Sequence, residues 1–250
     1  MHHVTSTDGT PIAVDRTGTG PSLIFVDGAL ATRETGRALA DELVSEYTVY
    51  RYDRRGRGDS GDTPPYVVDR EIEDLAAVIN QCDAPVFVYG YGSGAVLALR
   101  AAEARLPVNR MALFEPPFVG SDPDAIPHVS HYLDRGDRSG AIRHFLDSGT
   151  VPSDMVNAIV TPDMEHLAHT IVYDHVLLRD NDGLVPIDRL SRIDMPVMLL
   201  TSSGSHQALR RAAATAAATL SHGVHREMAG SRHGPPDQDL ADLLRQYFVA

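Results

Sequence analysis

Gly90-Tyr91-Gly92-Ser93-Gly94 places one aliphatic hydroxyl, that of Ser93, among three glycines, and Gly230-Ser231-Arg232-His233 presents an imidazole far downstream. Glu115 precedes Pro116-Pro117, and Asp27 precedes Gly28-Ala29. An imidazole oriented by a carboxylate is a general acid/base system near neutral pH. Other chemistries are excluded by composition. All 22 basic residues are arginine, so there is no Schiff-base lysine and no Walker phosphate loop. Cys82 is the single cysteine, which rules out an internal disulfide or a zinc site built on cysteine pairs. Among the 12 histidines, His128/His131 and His166/His169 are one helical turn apart, near Glu165 and His175. Without a His-Glu-x-x-His pattern they read as polar helix faces, and no metal or cofactor is expected. Gly18-Thr19-Gly20 does not open a helix, as a dinucleotide site requires.

The elements around these residues alternate. Val4–Ser6 and Ile12–Val14 flank Asp8-Gly9, a hairpin signal. Ser22–Val26, Thr48–Tyr52, Val86–Tyr89, Arg110–Glu115, Val197–Thr201 and His225–Met228 read as short strands. Ile72, Leu75, Ala76 and Ile79 recur at helical spacing, with Asp69 as the expected N-cap. Ala95–Arg105, the alanine-rich stretch 212–219 and a closing segment through Leu240, Leu243, Leu244, Tyr247 and Phe248 are further helices, the last capped by Asp237. This rhythm predicts an α/β fold with a mostly parallel central sheet flanked by helices. Residues 116–187 break it with helices expected at 139–147, 153–160 and 163–178. They are expected to form a helical cap inserted into a core of residues 1–115 and 188–250. Ligands of such sheets sit at the carboxyl ends of the strands, so the cap would roof the site.

The 250 residues suit one α/β domain with a sizeable core. A net charge of −12 argues against a nucleic-acid partner, and no apolar run reaches membrane-spanning length. The N-terminus lacks an apolar signal region, so a cytoplasmic protein is expected. The expected partner is a small-molecule substrate; the oligomeric state has no readable signal.

In motif and order the chain resembles the α/β-hydrolase superfamily, in particular a bacterial subgroup of small-molecule hydrolases. The resemblance rests on Phe25-Val26-Asp27-Gly28-Ala29-Leu30 at the oxyanion loop and on Tyr52-Asp53-Arg54-Arg55-Gly56-Arg57-Gly58-Asp59-Ser60. Gly90–Gly94 stands at the nucleophile elbow, and Gly230–His233 at the histidine loop. Phe114-Glu115-Pro116-Pro117-Phe118 and residues 168–174 point to the subgroup. The family elbow is Gly-x-Ser-x-Gly, and here Gly92 takes the serine's place, with Ser93 one residue on.

The resemblance implies a catalytic role for His233 and oxyanion donation by the backbone N–H groups of Ala29 and Ser93. Ser93 as a displaced nucleophile is the lesser alternative, because one step along a helix rotates a side chain by about 100°. The loop after strand 197–201, where the family usually carries its acid, has no carboxylate. Glu115, at the end of the preceding strand, could orient His233 or simply cap its own loop. Asp27 could take part in catalysis or hold the oxyanion loop through backbone hydrogen bonds. Tyr91, His169 and Tyr173 are candidate substrate contacts; Arg54, Arg55 and Arg57 read as loop braces. The leading expectation is an enzyme for a small, mostly apolar molecule that uses histidine and an oxyanion hole without a serine acyl-enzyme, as a lyase, an isomerase or cyclase, or a water-mediated hydrolase. The alternatives are a serine esterase or lactonase that has lost its elbow serine, and a non-catalytic binder.

Overall fold

A computed structural model of the chain describes residues 1–148, 156, 160–231 and 234–249. Its eight strands are β1 (His2–Thr5), β2 (Pro11–Gly18), β3 (Ser22–Val26), β4 (Thr48–Tyr52), β5 (Val86–Tyr91), β6 (Arg110–Phe114), β7 (Val197–Ser202) and β8 (Gly223–Met228). They form one sheet in the order β1-β2-β4-β3-β5-β6-β7-β8. β1 and β2 form the antiparallel hairpin around Asp8-Gly9, with Thr5 opposite Pro11, and β2 pairs antiparallel with β4. From β4 through β3 to β8 every pairing is parallel.

The period-2 alternation of the apolar strands divides the core in two. Ile24, Val26, Val88, Leu113 and Leu199 face α2 (Val68–Ile79), α3 (Ser93–Glu103) and α8 (Gln207–Thr219). Leu23, Phe25, Phe87, Tyr89, Phe114, Met198 and Leu200 face α1 (Arg37–Leu43) and α9 (Asp237–Val249). A strand buried on both faces reads as a continuous apolar run, as Ser22-Leu23-Ile24-Phe25-Val26 does.

Between β6 and β7 the chain forms α4 (Ala125–Asp134), α5 (Arg138–Ser148), a 3-10 turn (Pro162–Leu167), α6 (Thr170–Leu178) and α7 (Ile187–Leu190). Val129, Ala141, Ile142, Ala168 and Ile171 give this insertion its own small apolar cluster. Several sequence expectations are corrected here. The helix expected over 163–178 is split by a change from 3-10 to α geometry, and α4 was not foreseen in its Pro- and Asp-rich surroundings. The helix expected at 153–160 falls almost wholly outside the described residues. Asp69 is not an N-cap: α2 begins after Val67 with no side-chain cap, and Asp69 lies in its first turn, where a carboxylate still favours the helix dipole.

The strand order reverses at β3, whose neighbours are β4 on one side and β5 on the other. The crevice at such a switch point is where open α/β sheets bind ligands. Asp27-Gly28-Ala29 leaves β3 at that point, and Gly92 leaves β5 beside it.

Candidate active site

Gly92 is the single residue between β5 and α3, with φ +55° and ψ −123°. Ordinary side chains rarely adopt that backbone, and glycine does so without strain. Its flanking glycines have a different physical reason. A Cβ on Gly90 would sit 2.8 Å from the Ala95 Cα, and one on Gly94 would collide with the Val26 carbonyl oxygen. These two let α3 lie directly on β3 and β5. Among the described residues, the atom nearest a Cβ on Gly92 would be the Gly28 Cα, 4.0 Å away. The turn therefore has open space where its own side chain would point. Ser93 opens α3, so its N–H belongs to the first turn, whose donors have no intrahelical partners.

The Ser93 hydroxyl points elsewhere. It donates to Asp174 Oδ1 at 2.7 Å and lies 3.1 Å from the Arg54 guanidinium, deep beneath the turn. This geometry does not suit the displaced-nucleophile alternative. Arg54 also makes a two-pronged pair with Glu71, both contacts at 2.7 Å, and reaches Asp174 at 3.0 Å. Arg57 bonds Asp174 Oδ2 and the Gly28 carbonyl oxygen, each at 2.8 Å. Arg55 forks onto Asp74 at 2.7 and 2.8 Å. The arginines brace the loop, and through Gly28 they also fix the strand end beside the site. Burial alone would raise the pKa of Glu71 and Asp174; the guanidinium groups hold both below the usual carboxylate range. The partners of this network were missed in the sequence, because Asp174 lies 120 residues from Arg54.

Asp27 lies at the mouth of a cavity of about 230 Å³, walled by Leu39, Tyr89, Tyr91, Phe114 and Leu240 with Asp237 at its edge. The Tyr91 ring stacks on Phe114 with centroids 5.6 Å apart. Asp27 is only 7% exposed, and among the described residues its Oδ2 has no hydrogen-bond partner. That geometry does not favour the reading of Asp27 as a brace for the oxyanion loop. Burial lifts its pKa to about 7 against the pull of Arg57, Arg51 and Arg54. A carboxyl whose folded pKa exceeds its unfolded value favours folding in its protonated form, so its contribution is lost as pH rises from about 4 to 7. At about 1.4 kcal/mol per pH unit, that loss reaches roughly 4 kcal/mol. Asp27→Asn is therefore expected to gain stability relative to wild type between pH 4.5 and pH 8, by up to that amount. Urea unfolding at the two pH values measures it, and an equal effect of the substitution at both would contradict the assignment.

Glu115 follows β6 in a left-handed conformation, φ +47°, and is buried. The Ser205 hydroxyl, from the loop after β7, donates to its Oε1. Ser202, the last residue of β7, donates to the Ser231 carbonyl oxygen, tying that strand end to the segment before His233. Glu115 thus reaches the mouth of β7 from the neighbouring strand. His233 itself lies outside the described residues. The structure does not bring His169 and Tyr173 to the cavity. Tyr173 donates to Asp62 at 2.7 Å and stacks on Tyr66 at 4.1 Å, and His169 Nε2 is 3.5 Å from the same Asp62 carboxylate. Both were expected there because they share a helical face, but that face meets the loop after β4 instead. Among the described residues no group of three or more His, Cys, Asp or Glu side chains is placed to hold a metal ion. No helix among them is long and apolar enough to cross a membrane.

The fold and this strand-end site define the class: the chain belongs to the alpha/beta hydrolase family, whose model matches residues 18–246. A solved structure of an alpha/beta hydrolase from Sphaerobacter thermophilus DSM 20745 is 39% identical, covers 99% of this chain and 100% of its own, and superposes with a TM-score of 0.91. The bottromycin epimerase BotH, solved with bottromycin A2, shares the fold at 23% identity and a TM-score of 0.69, over 98% of this chain and 96% of its own. An uncharacterized hydrolase, YraK of Bacillus subtilis (strain 168), is 34% identical over 89 residues, which span 33% of this chain and 32% of that protein.

Proposed function

We propose that this protein is an enzyme of the α/β-hydrolase fold that transforms a small, mostly apolar organic molecule by proton transfer and oxyanion stabilisation, without a serine acyl-enzyme. The observation that carries this reading is the turn at Gly92. It has the backbone of a strand-to-helix elbow and open space beside it, but glycine supplies no hydroxyl there. The neighbouring Ser93 hydroxyl is committed to Asp174.

In this reading His233 moves the proton. Glu115 is its supporting carboxylate, because Ser205 holds it at the loop after β7, where the family's acid usually stands. The N–H groups of Ala29 and Ser93 stabilise the developing negative charge. The space above Gly92 receives the reacting atom or a water. Lyase, isomerase or cyclase steps, or hydrolysis by that water, use the same groups. One fold neighbour is an epimerase by name, so the fold is not tied to hydrolysis. A panel of small lactones, enol ethers and ketones, followed for conversion and for deuterium uptake from heavy water, tests the reading. His233→Ala is expected to lower any turnover found by about 10²–10⁴-fold; unchanged turnover rejects the mechanism.

A further inference from the structure

Asp27 differs from the other deeply buried acids around the site. Glu71 and Asp174 hold Arg54, Asp74 holds Arg55, and Asp53 holds Arg33. The arginines nearest Asp27 already have carboxylate partners: Arg54 and Arg57 share Asp174, and Arg51 is 3.6 Å from Asp15. Asp27 is left with a buried Oδ2 that bonds to none of the described residues, and it lines a cavity. A buried polar atom without a partner is costly, and a ligand that supplies the missing donor recovers that cost.

The walls narrow the ligand's chemistry. Tyr89, Tyr91 and Phe114 line the cavity, and beside Asp27 the other carboxyl group among its described lining residues is Asp237. Among the described lining residues none carries a positive charge. An ammonium group is donor-only and matches an acceptor-only carboxylate. Aromatic walls attract a cation, and a net charge of −12 favours the approach of one. An anion would meet like charges. Size fits as well, since a cavity of about 150 Å³ holds benzene and this one, at about 230 Å³, admits a ring with a short arm.

We propose that this cavity binds a ligand bearing a basic nitrogen, a protonated primary amine on an aromatic or short alkyl body, and that Asp27 is the residue that holds the ammonium group. The proposal takes the cavity as the substrate site of the enzyme inferred above, but its test reads binding alone. Among the described residues, the charged and titratable groups facing Asp27 are Arg51 on β4, Asp53, Arg54 and Arg57 in the loop after it, Tyr89 and Tyr91 on β5, and Asp237 at the start of α9. With Asp27 titrating at about 7, amine affinity rises about tenfold per pH unit below that value and levels off above it. A carboxylate ligand would show the opposite slope.

Calorimetric titration of the full chain with benzylamine, benzyl alcohol and benzoate tests this. At pH 8 benzylamine is expected to bind at least tenfold more tightly than benzyl alcohol, with benzoate weakest. Its affinity falls about tenfold between pH 6.5 and 5.5. Asp27→Asn removes at least tenfold of the affinity at pH 8 and flattens the slope, whereas His233→Ala keeps the slope. Should Asp27→Asn fold poorly, the wild-type profile and its retention in His233→Ala still decide. Equal binding of benzyl alcohol, tighter binding of benzoate, no benzylamine binding, or a slope that vanishes in His233→Ala would each overturn the amine assignment. None of these results touches the proton-transfer chemistry, which stands or falls on the turnover of His233→Ala.

Discussion

Replacing Asp174 with alanine is expected to cost about 3–5 kcal/mol of folding stability, the usual penalty for breaking a buried ion pair from one side. The Asp174 carboxylate is fully buried and accepts from Arg57 at 2.8 Å, Arg54 at 3.0 Å and Ser93 at 2.7 Å. Without it Arg54 keeps Glu71, but Arg57 is left with the Gly28 carbonyl oxygen and no carboxylate contact. The cost comes from that stranded charge, so Asp174→Asn, which keeps the volume and one acceptor, should lose less. Because Arg57 and Arg54 hold the Asp174 pKa below its ordinary value, its stabilising contribution is complete above the usual carboxylate range. It is lost as pH falls through the lowered value, opposite in direction to Asp27. Urea midpoints at unchanged m-value measure the effect; a loss under about 1 kcal/mol would mean that water or rearrangement neutralises Arg57. Asp174 also joins α6 to α3 and to the loop after β4, so the substitution should speed amide exchange in α6 before the strands open.

Gly92→Ser is the second large expected effect. The chain should still fold, because among the described residues a Cβ at Gly92 meets nothing closer than 4.0 Å. A serine forced to φ +55° costs on the order of 1–3 kcal/mol. In the proposed mechanism its hydroxyl occupies the space reserved for the reacting group, so native turnover is expected to fall about 10²-fold or more, as misplacements of about 1 Å do. Hydrolysis of p-nitrophenyl acetate should remain close to the wild-type rate. A strong burst of p-nitrophenol in the variant would instead identify a serine esterase or lactonase that has lost its nucleophile. The open space at Gly92 is the observation that keeps this second reading testable.

The sheet and most of its strands were legible in the chain, because strand burial on both faces leaves continuous apolar runs such as residues 22–26. The glycines at 90 and 94 stood in the elbow motif, but the close helix–strand contact that demands them is visible only in the fold, where nothing larger than hydrogen fits. The insertion was read less well: its short polar helices have weak periodicity, so α4 was missed and the helix over 163–178 was drawn through a change of geometry.

Local sequence therefore determined where strands end, where the chain must turn and which residue types stand at those turns, because backbone sterics and apolar periodicity act within a few residues. Pairing at long range was left to the tertiary structure. Only the packed fold sends the Ser93 hydroxyl to Asp174, 81 residues away, brings Ser205 to Glu115 across 90 residues and directs His169 and Tyr173 to Asp62. It also leaves Asp27 as a buried carboxyl facing a cavity with no partner for its Oδ2. Whether a charge is braced or free depends on what lies within about 4 Å of it, where Coulomb and hydrogen-bond energies are largest, and that neighbourhood is set by the fold rather than by adjacent residues.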